Sequence, residues 1–119
     1  MEQEDAARLF AALSQETRLA VVRRLVRAGR AGCAAGDLAE GLGVAPATLS
    51  FHLKELTHAG LVSSRREGRS IRYAAELDRV SALARFLLEE CCAEDADPAA
   101  DCRAVPACAP ARTREPQGA

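Results

Sequence analysis

Leu49, Leu53 and Leu56 recur at spacings of four and three, with Thr48, Ser50, His52, Lys54 and Glu55 set between them. That rhythm predicts an amphipathic helix with one packed face and one free face. Pro46 suits its first turn, where a missing N–H costs nothing, and Gly60 suits a left-handed stop. Leu61 to Arg66 and Ser70 to Ala74 then read as two strands around Glu67-Gly68-Arg69, where glycine supplies the positive φ of a tight hairpin.

Upstream, Leu9, Phe10 and Leu13 predict a short first helix ending near Ser14. Ser14 is expected to cap a second helix, whose apolar stripe is Leu19, Val22, Leu25 and Val26, stopping before Gly29. Arg18, Arg23, Arg24 and Arg27 line its other side, a solvated face with phosphate contact as the alternative. Asp37 to Leu42 forms a third helix closed by Gly43, a turn away from the Pro46 helix. After the hairpin, Val80, Leu83, Ala84, Leu87, Leu88 and Cys91 repeat with helical period and predict a strongly amphipathic last helix. The expected fold is mainly α with a small β-hairpin, the plan of a winged helix-turn-helix. Residues 1–92 are expected to form the folded DNA-binding and dimerisation domain. Residues 93–119, with Pro98, Pro106, Pro110 and Pro116, are expected to be a flexible cysteine-containing tail.

At 119 residues and 49% hydrophobic content, the chain can build one modest core but not two large domains. Only 3% of residues are aromatic, which argues against a stacking surface for single-stranded nucleic acid and leaves duplex binding open. The net charge of −1 hides a strong asymmetry. Residues 44–75 hold Lys54, Arg65, Arg66, Arg69 and Arg72 against Glu55 and Glu67, a net +3, whereas residues 89–101 hold six acidic residues and no Lys or Arg. The first ten residues lack a signal-peptide pattern, and no apolar run approaches the roughly 20 residues of a membrane span. A cytoplasmic protein without a membrane partner is expected. In that setting five cysteines point to metal binding or redox sensing rather than to a disulfide framework.

The segments ALSQETRLAVVRRL, GDLAEGLGVAPATLSFHLKELTHAGLV and REGRSIRY stand in one register. Across residues 6–90 the chain thereby resembles the ArsR/SmtB family of bacterial winged-helix repressors. The resemblance implies a homodimer built on the first and last helices, two recognition helices in successive major grooves of a palindromic operator, and an inducer that lowers operator affinity. One departure is Ala45, where family members often place a capping Ser or Thr.

Exposed residues in the first turns of a recognition helix reach base edges, and later ones reach phosphate. The expected DNA contacts are therefore Ala47, Thr48, Ser50, Phe51, His52 and Lys54, joined by Arg66, Arg69 and Arg72 of the hairpin, with Arg65 beside them. Thr48 and Ser50 offer hydrogen bonds, and Ala47 or Phe51 can meet a thymine methyl. For Phe51 core packing is the equal alternative, and His52 is read as touching DNA or capping a neighbouring group. His58 is a surface residue near the helix end.

The family's several inducer sites are not interchangeable. Ala34, Ala35 and Gly36 stand where its CxC arsenic site would lie, leaving only Cys33 nearby, and no His follows Asp78 to complete its zinc-type site. What remains is Cys91-Cys92, followed by Cys102 and Cys108. Adjacent thiolates can ligate one large soft ion if the helix end frays, and Cys102 would complete a pyramidal three-sulfur site for As(III) or Sb(III). Cys108 is read as incidental or a weak alternate ligand, and Cys33 as structural or incidental. This arrangement resembles a subgroup of arsenical repressors with the site at the last helix's C-terminus. As(III) or Sb(III) is thus the expected inducer, with no permanently bound cofactor; Cd(II) and Pb(II) stay open because the acidic residues also attract divalent cations. A thiol-redox or persulfide-responsive repressor is the alternative, and a non-DNA-binding interaction module a more distant one. No grouping of nucleophile, base and orienting residue points to an enzyme.

Overall fold

A computed structural model describes residues 1–94. Among them the order is α1 (Gln3–Leu13), α2 (Glu16–Ala28), a 3-10 turn (Gly29–Ala31), β1 (Cys33–Ala34), α3 (Ala35–Leu42), α4 (Pro46–Ala59), β2 (Val62–Glu67), β3 (Ser70–Ala75) and α5 (Leu77–Leu88). The expected tail beyond Glu94, including Cys102 and Cys108, lies outside the described residues. The chain divides after Ala82 into two units.

The turn between α1 and α2 corrects one expectation. Ser14 ends α1 instead of capping α2, because both its hydroxyl (2.8 Å) and its N–H (3.2 Å) turn back to the carbonyl of Ala11. Gln15 takes the N-cap position with extended backbone, and its Oε1 accepts the Arg18 N–H at 2.9 Å. The stripe of α2 is also rotated from the expected one. Val21, Val22 and Leu25 are buried, while Leu19 and Val26 are 44% and 40% exposed. Apolar residues cover a broad arc of this helix, so periodicity alone admits two stripes, and packing against β3 and α4 selects one.

The hairpin forms with Val62↔Ala75 through Glu67↔Ser70 in antiparallel register, leaving Gly68-Arg69 as a two-residue turn with Gly68 at φ 63°. A third strand joins it. β1 pairs with β3 through Cys33↔Tyr73 and Ala34↔Arg72, giving the sheet order β1-β3-β2. Gly32 permits this approach: its φ is 68°, and a Cβ there would collide with the carbonyl of Tyr73.

The core beneath the sheet is aliphatic. Leu25, Leu38, Leu49, Leu53, Leu56, Leu61 and Val21 are its largest fully buried side chains, and each such leucine contributes about 1.5–3 kcal/mol of apolar burial. The α4 helix carries Pro in its first turn and ends at Gly60 (φ 85°), whose N–H and that of Leu61 return to the last-turn carbonyls. Ala45 occupies its N-cap with extended backbone and no side-chain hydrogen bond.

At the other end, α5 stops at Leu88 rather than running on to Cys91, and residues 89–94 form turns. Glu89 and Glu90 would set two carboxylates at the negative end of the helix dipole, which opposes its extension. Cys92 carries φ 62°, the one positive value at a non-glycine among the described residues.

Candidate functional site

Packing of Leu49, Leu53 and Leu56 leaves a defined outer face on α4. Ala47, Thr48, Ser50, Phe51 and Lys54 are all exposed there, Phe51 by 56%. The exposed ring of Phe51 offers apolar contact beside hydroxyl donors and an ammonium group. The core alternative for Phe51 does not hold. His52 corrects the reading in the opposite direction: it is 8% exposed and points inward, with Nδ1 3.3 Å from an Arg18 guanidinium nitrogen. Its position beside Leu53 turns it toward α2, so of its two expected roles it performs the second, pairing with a neighbouring group. Phe51 meets it edge-to-face, with ring centroids 5.4 Å apart.

On the hairpin the arginines separate into two pairs, as alternation across a strand requires. Arg65 and Arg72 face each other across β2 and β3 and are engaged with the turn after α2. Arg72 donates through Nε to the carbonyl of Ala31 at 2.7 Å, and Arg65 donates to the carbonyls of Ala31 (3.3 Å) and Arg30 (3.5 Å). Arg65 also meets Glu67 at 3.0 Å, an exposed pair of little energetic weight. Arg72, expected at the DNA, is thus engaged with the 3-10 turn, whose Ala31 carbonyl lies within its reach. Arg66 and Arg69 are exposed, have no hydrogen-bond or ion-pair partner among the described residues, and flank the turn at Gly68. Arginine so presented can pair with phosphate or enter a narrow minor groove.

Cys33 is buried on β1, in keeping with a structural role. Cys91 and Cys92 follow α5, half-buried, with their Sγ atoms 3.4 Å apart. Among the described residues no three His, Cys, Asp or Glu side chains stand together as a metal site, so the third ligand expected at Cys102 lies outside them. No described helix is long and apolar enough to cross a membrane.

Residues 13–65 match a family described as a helix-turn-helix domain. A Streptomyces lividans protein, "Probable mercury resistance operon repressor", is 34% identical over 99 residues, which cover 83% of this chain and 75% of that protein. The structure of an ArsR-like transcriptional regulator from Rhodococcus sp. RHA1 is similar at 36% identity and a TM-score of 0.65, covering 86% of this chain and 93% of that one. A homodimeric winged helix-turn-helix DNA-binding domain from Mycobacterium bovis is similar at 29% identity and a TM-score of 0.58, covering 73% and 81%. The exposed face of α4, the arginine-tipped hairpin and these likenesses agree: the chain belongs to the ArsR family of winged-helix transcriptional regulators.

Proposed function

We propose that the protein is a homodimeric repressor that leaves its operator when As(III) or Sb(III) binds Cys91 and Cys92, with Cys102 as the third thiolate. The observation that carries this reading is the 3.4 Å separation of the two Sγ atoms immediately after α5. Sulfurs that close can both bond one ion at the roughly 2.3 Å typical of metal–thiolate bonds. Soft thiophilic ions are the class such donors select, and the name of the Streptomyces lividans relative refers to another of them, mercury. The outer face of α4, with Ala47, Thr48, Ser50, Phe51 and Lys54, reads the major groove, while Arg66 and Arg69 hold phosphate or the minor groove. Ligand binding reorders the segment after α5, the helix that the family resemblance assigns to the dimer interface, and so favours a dimer whose recognition helices no longer match the DNA.

The site itself is tested by equilibrium binding of arsenite, antimonite, mercury(II), cadmium(II) and zinc(II) to the reduced full chain, with thiol titration after each addition. Loss of two or three reactive thiols per bound arsenite, removed by Cys91→Ser or Cys92→Ser, supports the reading. Selective uptake of cadmium or zinc with no arsenite binding overturns the metalloid assignment. Insensitivity to every ion, with operator release by an oxidant, would favour the redox alternative.

A further inference from the structure

We propose that Arg18 is a positioning residue for DNA recognition, acting through His52. Arg18 stands where three helices converge. Its backbone N–H is held by the Gln15 side chain at the start of α2, its Nε donates to the carbonyl of Ala12 in the last turn of α1 at 2.7 Å, and a terminal nitrogen lies 3.3 Å from His52 Nδ1 on α4. The Ala12 carbonyl is one of those a helix end leaves without an intrahelical partner, and a cation there also complements the helix dipole.

The chemistry of the contact fits one tautomer of His52. A guanidinium only donates, so Nδ1 must accept, and the neutral ring carries its proton on Nε2. An imidazolium has no lone pair to offer and would set a second positive charge against the first. His52 is the one buried polar side chain among the described residues, and Arg18 is the charged group within hydrogen-bonding range of its ring. Burial makes the partner matter, because an unpaired ring nitrogen there would lose its bond to water without replacement. The ring thus fixed braces Phe51 edge-to-face, and Phe51 lies on the exposed face of α4. A chain of contacts therefore runs from the end of α1, through Arg18 and His52, to an aromatic ring at the proposed DNA surface.

This inference rests on reading the outer face of α4 as the DNA contact, and the experiment separates the two. The probe is a fluorescent duplex selected from a random pool by the reduced full-length wild type. Anisotropy titrations compare Arg18→Met, His52→Leu, His52→Asn, Ser50→Ala and Phe51→Ala, each checked for its fold by circular dichroism, and nitrogen-15 spectra read the histidine tautomer. Arg18→Met and His52→Leu are expected to bind roughly tenfold more weakly with helix content retained, the equivalent of one charged hydrogen bond. His52→Asn, whose side-chain oxygen replaces the Nδ1 acceptor, is expected to recover most of that loss. The wild-type His52 signal is expected to show the Nε2–H form and to lose that bias in Arg18→Met. If Arg18→Met binds like wild type while Ser50→Ala binds poorly, the positioning role is wrong and the DNA face stands. If Ser50→Ala and Phe51→Ala both bind like wild type, the DNA face itself is wrong. Should Arg18→Met fail to fold, the comparison of His52→Asn with His52→Leu decides: equal losses overturn the proposal, and selective rescue by Asn supports it.

Discussion

The Nε–H of Arg72 donates to the carbonyl of Ala31 at 2.7 Å, tying the middle of β3 to the turn that follows α2. This contact engages Arg72 within the protein, whereas Arg66 and Arg69, the proposed DNA contacts, stay exposed. Replacing Arg69 by Ala is therefore expected to weaken operator binding and lower the salt dependence by about one released counterion, with unchanged thermal stability. Arg72→Ala is expected to lower stability by about 1 kcal/mol through the lost hydrogen bond to the Ala31 carbonyl, which Arg65 still reaches. Anisotropy at several salt concentrations, paired with thermal unfolding, checks both.

Two residues of α4 separate the fold from the proposed recognition. Leu56 is 0% exposed, so Leu56→Ala is expected to cost about 2–5 kcal/mol of stability. Phe51 is 56% exposed, and Phe51→Ala is expected to leave stability within about 0.5 kcal/mol of wild type while reducing operator affinity. Denaturant melts and DNA titrations on the same two proteins make the comparison.

Much of this architecture is legible in the sequence, and the exceptions have identifiable causes. Pro46, Gly60 and Gly68 punctuate α4 and the hairpin through backbone constraints that operate locally, so those elements fall where their residues indicate. β1 is two residues long and shows no period; Gly32, the glycine that lets it approach Tyr73, was the available signal. Ser14 has the side chain that suits an N-cap, and the geometry of the turn gives that place to Gln15 instead. His52 looks like a surface residue because its partner is 34 positions away, a pairing that periodicity does not encode. The apolar rhythm of α5 runs through Cys91, but helix-end electrostatics at Glu89 and Glu90 do not enter a periodicity count. At the thiol site the vicinal pair is evident from its spelling, while its ligand is a matter of chemistry that the fold leaves open.

Ala45 leaves the N-terminus of α4 without a side-chain cap. Ala45→Ser is expected to stabilise the protein by about 1 kcal/mol, seen as a rise of roughly 4–8 °C in unfolding temperature. An unchanged or lowered midpoint would mean that the N–H groups of this turn are already satisfied.

Two glycines should respond oppositely to the same change. Gly41→Ala, in α3 with open space around it, is expected to add about 0.5–1 kcal/mol, whereas Gly32→Ala, at φ 68° against Tyr73, is expected to cost roughly 2 kcal/mol or more. Equal effects in denaturant melts would contradict the packing of β1 on β3.

The central claim is that a metalloid bound at Cys91 and Cys92 switches DNA affinity. It is tested most directly by titrating arsenite into the reduced wild-type protein on its selected duplex and repeating the titration with Cys92→Ser. The expected result is release of wild-type protein, with affinity lowered about five- to 150-fold, and a Cys92→Ser protein that binds the duplex normally and ignores arsenite. Unaltered release in Cys92→Ser, or a wild-type complex indifferent to arsenite and antimonite, would contradict it.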